Sequence, residues 1–145
     1  MDLSGQVAVV TGAGQGIGKA CALAMAKAGS DVAVVDINAD SVKETAAEIA
    51  ALGRRSLALR ADLGSVSDID RMVAETIASF GRIDVLVNNA GVTRRAEIMD
   101  LTEEDWDRIH RVNAKGVFFC LQRAAREAEA GASSTSRQLP ASTHR

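Results

Sequence analysis

The chain has 145 residues, of which 47% are hydrophobic and 25% charged, and its formal net charge at pH 7 is −2. These values fit one soluble globular domain that is long enough to bury a core. There is no basic excess to favour a nucleic-acid partner, and no apolar run approaches the roughly 18 residues that cross a bilayer. We therefore expect neither a nucleic-acid nor a membrane function.

The N-terminal residues, Met1 to Gly5, lack the charged and apolar regions of a signal peptide, so we expect a cytoplasmic protein. Cys21 and Cys120 lie in helical apolar patterns without metal-like spacing. In a reducing compartment they are expected to be small core residues, and no metal site is predicted.

Strand and helix patterns alternate with short connections, which is typical of an α/β fold with a parallel sheet. The predicted strands are Val7 to Val10, Asp31 to Asp36, Ser56 to Arg60 and Ile83 to Val87. The predicted helices run from Ile17 to Ala28, from a cap at Asn38 or Asp40 to Leu52, from a cap at Ser67 to Gly81, and from a Thr102 and Asp105 capping box to about Glu129.

The last fifteen residues break this pattern. They contain four serines, two threonines and the only proline of the chain, with Leu139 as the one large aliphatic residue. Such a segment buries too little apolar surface to become ordered. We therefore predict a domain over residues 1–130 and a disordered, low-complexity tail over residues 131–145.

A glycine-rich segment joins the first strand to the first helix, with the sequence Thr11-Gly12-Ala13-Gly14-Gln15-Gly16-Ile17-Gly18. Glycine lets the backbone approach a ligand, and the N-terminus of a helix offers free N–H groups to a diphosphate. The spacing is not the strict G-x-G-x-x-G, because position 17 is isoleucine. The segment predicts a dinucleotide site, and a tight turn without a ligand is the alternative.

Two carboxylates lie at the carboxyl ends of strands two and three. Asp36 ends strand two, where it can accept hydrogen bonds from ribose hydroxyls and repel a 2′-phosphate. Gln15 adds no positive charge beside it, so the pair predicts NAD in preference to NADP. Asp62 is placed to reach an adenine edge while Leu63 packs. The alternatives are a capping or solvated carboxylate for Asp36 and a turn residue for Asp62.

Strand four ends in Asn88-Asn89-Ala90-Gly91 and is followed later by Val112-Asn113-Ala114-Lys115-Gly116. Together with the T-G-x-x-x-G-x-G turn, the acidic end of strand two and the Asp62-Leu63 pair, these motifs resemble the short-chain dehydrogenase/reductase family over about residues 5 to 128.

The resemblance implies a Rossmann-type domain that takes part in hydride transfer between a nicotinamide and a small alcohol or carbonyl substrate. It also implies a set of residue roles. The diphosphate would lie along Gly12, Gly16 and Gly18, the ribose at Asp36, the adenine at Asp62, and the sheet beside the cofactor would carry Asn89, Ala90 and Gly91. Asn113 would kink its helix and hold a water of the proton relay.

The sequence departs from the family in the residues that the family uses for proton transfer. The family uses a serine and a Tyr-x-x-x-Lys helix, whereas this chain contains no tyrosine and its last lysine is Lys115. In the family the sheet has the order 3-2-1-4-5-6-7, so strand four becomes an edge here and much of the surface used for homo-oligomers is missing.

The favoured hypothesis is therefore a catalytically inactive NAD-binding fragment. An active NAD-dependent oxidoreductase is the alternative, in a full-length form or in one whose reading frame is restored near residues 128 to 131. A third hypothesis is an interaction protein that joins a full-length relative.

Overall fold

The computed structural model describes residues 1–136, in which strands and helices alternate as predicted. The strands are β1 (Val7–Thr11), β2 (Asp31–Asp36), β3 (Ser56–Arg60) and β4 (Val85–Val87). The helices are α1 (Gly16–Lys27), α2 (Ala39–Ala51), α3 (Val66–Phe80), α4 (Glu103–His110) and α5 (Val117–Ser136). A 3-10 turn covers Ile98–Asp100, and a π-helical segment, Arg111–Gly116, joins α4 to α5.

The four strands form one parallel sheet in the order β3-β2-β1-β4. This order confirms the Rossmann-type prediction, and it leaves β3 and β4 at the two edges of the described sheet. From β1 the chain continues to β2 and β3 on one side of the sheet and then crosses to β4 on the other side of β1, so the order of the strands reverses at β1. Ligands bind at such a switch point in open α/β sheets, beside the carboxyl ends of the strands.

Alternate residues of β2 face two separate cores, as the period of a strand requires. Val32 and Val34 pack with α1 and α2, whereas Ala33 and Val35 pack with α3 and α5. All four side chains are fully buried. The run of apolar residues in β2 is thus explained by helices on both faces of the sheet.

Among the predicted boundaries, the starts of α3 and β4 were wrong. Helix α3 is capped by Ser65 and not by Ser67, because the Ser65 hydroxyl accepts the backbone N–H of Asp68 at 3.3 Å. Strand β4 begins at Val85 and not at Ile83. There the Asp84 carboxylate accepts the N–H of Val7 at 2.8 Å, so a side chain takes the place of a strand bond.

The long helix predicted from Thr102 to about Glu129 is also interrupted. Its capping box is confirmed, but the π-helical segment separates α4 from α5, and α5 continues to Ser136. The first six residues of the predicted tail are therefore helical, and residues 137–145 lie outside the described part of the chain. Within residues 1–136, no helix is both long and apolar enough to cross a membrane.

Candidate functional site

A cleft of about 450 Å³ opens at the carboxyl ends of the strands. Most of the residues predicted to bind a cofactor line it, namely Gly12, Gln15, Gly16, Ile17, Asp36, Asp62, Leu63, Asn89, Ala90 and Gly91. Thr11, Gly18 and Asn113 are not among the lining residues. The topology therefore brings together four loops that are far apart in the sequence.

The glycine turn between β1 and α1 depends on backbone freedom at two positions. Gly12 and Gly16 have φ angles of +63° and +58°, in the left-handed region that favours glycine. A Cβ on Gly12 would lie 2.9 Å from Cα of Ala90, whereas a Cβ on Gly16 would meet no atom within 4 Å. Gly12 thus packs against the loop after β4, and Gly16 leaves open space at the cleft.

Gly18 serves the packing of the same turn. A Cβ at this position would overlap the carbonyl oxygen of Gly12 and approach the Asn89 amide. Gly18 therefore lets helix α1 lie directly against the turn, and its direct contact with a ligand stays a prediction.

The N-terminus of α1 faces the cleft without a cap from its own chain. Gln15 occupies the cap position, but its side chain makes no capping hydrogen bond, and the first turn carries no acidic residue. The first N–H groups of a helix have no partner within the helix and carry a partial positive charge. This end of α1 is therefore suited to bind an anion.

Asp36 lies at the end of β2, with its carboxylate next to the turn. Its Oδ2 accepts the backbone N–H of Gly14 at 3.0 Å, and its Oδ1 accepts that of Asn38 at 3.1 Å. Each carboxylate oxygen can accept more than one hydrogen bond, so acceptor capacity remains for a ligand. These bonds fix the carboxylate at the wall of the cleft.

Asp62 and Leu63 form the wall after β3. Oδ1 of Asp62 accepts the N–H of Gly64 at 2.8 Å, and the Asp62 N–H donates to Oδ2 of Asp68 at 2.8 Å. That bond to Asp68 is the main reason why the pKa of the Asp68 carboxyl is lowered. Leu63 is 8% exposed and belongs to the core beneath the cleft. Both residues are held by their own loop.

Thr11 and Asn89 join the glycine turn to the end of β4. The buried Thr11 hydroxyl accepts the N–H groups of Asn89 and Ala90, both at 3.1 Å, and donates to the Val87 carbonyl at 3.2 Å. In return, the Asn89 amide donates to the carbonyls of Thr11 and Gly12, both at 3.2 Å. Thr11 thus holds the loop after β4 against the glycine turn, and both segments line the cleft.

Asn113 lies in the π-helical segment, where it binds the loop that follows β4. Its Nδ2 donates to the Val92 carbonyl and its Oδ1 accepts the Val92 N–H, both at 2.8 Å. A Cβ on Gly116 would overlap the carbonyl oxygen of Leu63, so the same segment also touches the loop after β3. The expected departure from regular helix is present around Asn113, and its role in a water relay stays a prediction.

The prediction from sequence missed five lining residues, all apolar: Val35, Ile37, Ala61, Val92 and Val112. Ile37 is 59% exposed, and its position directly after Asp36 at the end of strand two is the sequence signal that could have identified it. The other four carry no separate signal: Val35 and Val112 look like ordinary strand and helix residues, and Ala61 and Val92 are single apolar residues in the loops after β3 and β4.

Comparison with known proteins agrees with this fold. The family model described as short chain dehydrogenase matches residues 6–135. The 2-dehydro-3-deoxy-D-gluconate 5-dehydrogenase of Escherichia coli strain K12 is 46% identical over 124 residues, which cover 86% of this chain and 48% of that protein.

Two crystal structures show the same fold. A short-chain type dehydrogenase/reductase from Mycobacterium marinum has a TM-score of 0.83 at 40% identity, covering 87% of this chain and 50% of that one. A short chain dehydrogenase from Burkholderia cenocepacia J2315 in complex with NADP has a TM-score of 0.85 at 39% identity, with coverages of 88% and 53%.

The chain spans about half the length of the curated relatives it matches. With the motifs, the parallel sheet and the family match over residues 6–135 in agreement, the chain belongs to the short-chain dehydrogenase family.

Proposed function

We propose that this chain binds a nicotinamide dinucleotide in the cleft, with NAD(H) preferred over NADP(H). One observation carries the proposal: the uncapped N-terminus of α1 and the Asp36 carboxylate line the same cleft. The first is suited to a diphosphate and the second to a ribose with free hydroxyls.

The glycine turn supports the diphosphate part of the proposal. Gly16 leaves open space beside the first N–H groups of α1, so phosphate oxygens can approach the backbone. The absence of an acidic residue from the first turn of α1 avoids repulsion at this point. Ile17 is 76% exposed at the cleft and would be covered by a bound dinucleotide.

Asp36 supports the preference for NAD(H). Its carboxylate is fixed by backbone N–H groups, and its remaining acceptor capacity suits the two ribose hydroxyls. A 2′-phosphate at the same place would be repelled, because two like unit charges 4 Å apart near a protein surface interact by about 4 kcal/mol.

When bound, a nicotinamide dinucleotide supplies or accepts a hydride. The residues of this chain bind and orient it, with the apolar Val92 and Val112 on the wall of the cleft. A proton-donating Tyr-x-x-x-Lys helix is absent from the sequence, which contains no tyrosine. We therefore propose that this chain binds the dinucleotide without catalysing turnover.

A second candidate is oxidoreductase activity in a longer form of the protein. It is favoured by the coverage of the relatives, of which the chain spans about half. The substrate would then be a small alcohol or carbonyl compound. Sequencing the coding region tests this candidate: a single-base change that restores a long frame with Tyr-x-x-x-Lys is expected, and its absence from every frame contradicts it.

The binding proposal is tested by titrating the purified chain with NADH and, as the control, with NADPH. We expect saturable binding, a raised melting temperature with NADH, and weaker binding of NADPH. No saturable binding of either dinucleotide by folded protein would contradict the proposal. Equal affinities would contradict the preference alone.

A further inference from the structure

We infer that Asp36 is also a positioning residue that holds the glycine turn in its binding shape, so one carboxylate sets both the cofactor preference and the diphosphate site. This inference rests on the proposed function. The Asp36 carboxylate accepts two backbone hydrogen bonds, and the one from Gly14 joins segments that are 22 residues apart in the chain. The set formed by Asp36, Gly14 and Asn38 is called the turn lock below.

The first part of the turn lock is the bond from the Gly14 N–H to Oδ2 of Asp36, at 3.0 Å. The preceding residue, Ala13, donates its N–H to the Val35 carbonyl at 3.0 Å and is fully buried. Two successive N–H groups of the turn are therefore held by the end of β2, the first by backbone and the second by the Asp36 side chain. Only the second bond depends on a side chain that mutation can remove.

Steric contact makes this arrangement specific to glycine. A Cβ on Gly14 would overlap the Ser41 hydroxyl and lie 2.9 Å from Cβ of Ser41 and 3.0 Å from Oδ2 of Asp36. The space between the turn and the first turn of α2 is therefore filled. Gly14 is required here by the close approach of Asp36 and Ser41.

The second part of the turn lock ties the start of α2 to the same carboxylate. Oδ1 of Asp36 accepts the Asn38 N–H at 3.1 Å, and Oδ1 of Asn38 accepts the N–H groups of Asp40 and Ser41 at 3.0 and 3.1 Å. Asp36 thus connects the cap of α2 with the turn that precedes α1. The carboxylate is held from both sides before any ligand arrives.

The turn lock changes the cofactor affinities expected when Asp36 is removed. If Asp36 only recognised the ribose, its removal would relieve repulsion and improve the binding of NADPH. Because Asp36 also holds Gly14, its removal releases the turn that binds the diphosphate, which both dinucleotides share. Replacement of Asp36 by alanine is therefore expected to weaken NADH binding without a gain in NADPH binding.

The structural part is tested by amide hydrogen exchange of Gly14 in the ligand-free protein. Asp36→Ala is expected to speed exchange of this amide by about tenfold, because a hydrogen bond to a charged acceptor is lost. Asp40→Ala is the matched control: it removes a nearby exposed carboxylate that makes no side-chain bond to the turn. Unchanged exchange of Gly14 in Asp36→Ala would overturn the inference.

The functional part is tested with two further variants. Gly14→Ala keeps the Asp36 charge but disturbs the turn lock, so we expect NADH and NADPH affinities to fall by the same factor, about tenfold. Asp36→Asn removes the charge but keeps an acceptor oxygen, and it is expected to bind NADPH more tightly than Asp36→Ala does. Equal NADPH affinities of Asp36→Asn and Asp36→Ala, both above the wild type, would overturn the inference.

The two proposals fail in different ways. Wild-type protein that binds neither dinucleotide contradicts the proposed function, while the exchange of Gly14 still decides whether Asp36 holds the turn. Wild-type protein that binds NADH, together with Gly14 exchange that is insensitive to Asp36→Ala, contradicts only the turn lock.

Discussion

Helix α1 begins differently from α2, α3 and α4. The latter three are capped by the side chains of Asn38, Ser65 and Thr102, and each has at least one acidic residue in its first turn. Helix α1 has Gln15 at its cap position, with no capping bond from the side chain, and no acidic residue in its first turn. A missing cap costs about 1 kcal/mol of folding stability, so the start of α1 is less stabilised than the starts of the other three helices.

The missing cap of α1 marks the place where backbone N–H groups are available to a ligand. In α2, α3 and α4 a capping side chain accepts at least one of the N-terminal N–H groups, whereas the N-terminus of α1 has no such cap and opens beside Gly16. A protein gives up local stability at sites that bind or react. We therefore expect that a cap on α1 stabilises the fold and weakens the binding of a dinucleotide.

The largest expected effect comes from giving α1 the start that the other helices have. Gln15→Asp should raise the free energy of unfolding by roughly 0.5–2 kcal/mol, since aspartate is a favourable N-cap. The same carboxylate should lower NADH affinity by roughly a hundredfold, because it repels the diphosphate. Urea unfolding and NADH titration measure the two effects.

Gln15→Asn is the control for charge. It supplies a cap without a negative charge, so it should stabilise the protein while lowering NADH affinity much less than Gln15→Asp does. Equal losses of affinity in the two variants would show that charge at this position is not what matters.

A smaller effect is expected where a cap is removed. Thr102→Ala removes the hydroxyl that accepts the Asp105 N–H at 3.1 Å and donates to the Asp105 carboxylate at 3.0 Å, and it should cost about 1 kcal/mol of unfolding free energy. NADH affinity should stay within twofold of the wild type, because Thr102 does not line the cleft. Thr102→Ser keeps the hydroxyl and should restore the stability. A large loss of NADH affinity in Thr102→Ala would show that the cap of α4 also affects binding, which would contradict the special role given to the start of α1.

The smallest effect concerns acid pH. Burial alone would raise the pKa of Asp105, but its bonds to Thr102 and the charges of Arg94 and Arg108 lower it below the ordinary 3.8. Because the pKa is lowered in the folded state, this stabilisation is present above pH 3.8 and is lost as the pH falls through the folded-state value. Asp105→Asn should be less stable than the wild type at pH 7, and the gap should close towards pH 2. A gap that is constant with pH would contradict this assignment.

Much of the fold could be predicted from the sequence, because its patterns are strong. The β2 and β3 boundaries and the capping box of α4 are as predicted, since buried strands and capping side chains leave local signals. The cap of α3 was misplaced although Ser65 and Asp68 have the capping-box spacing, because Ser67 offered a competing hydroxyl.

Features that depend on distant contacts were not predictable in this way. The π-helical segment brings Gly116 against the carbonyl oxygen of Leu63, and the bond between Gly14 and Asp36 forms only when the turn meets the end of β2. Motifs identified the polar residues of the cleft, whereas apolar lining residues such as Val112 look like any other helix residue in the sequence.

Amide hydrogen exchange with and without NADH, compared at the first turns of α1, α2, α3 and α4, shows directly whether the uncapped start of α1 binds the dinucleotide. We expect NADH to slow exchange in the glycine turn and the first turn of α1, and to leave exchange in the first turns of α3 and α4 unchanged. Protection that is absent from α1, or that is equal at all four helices, would contradict the account.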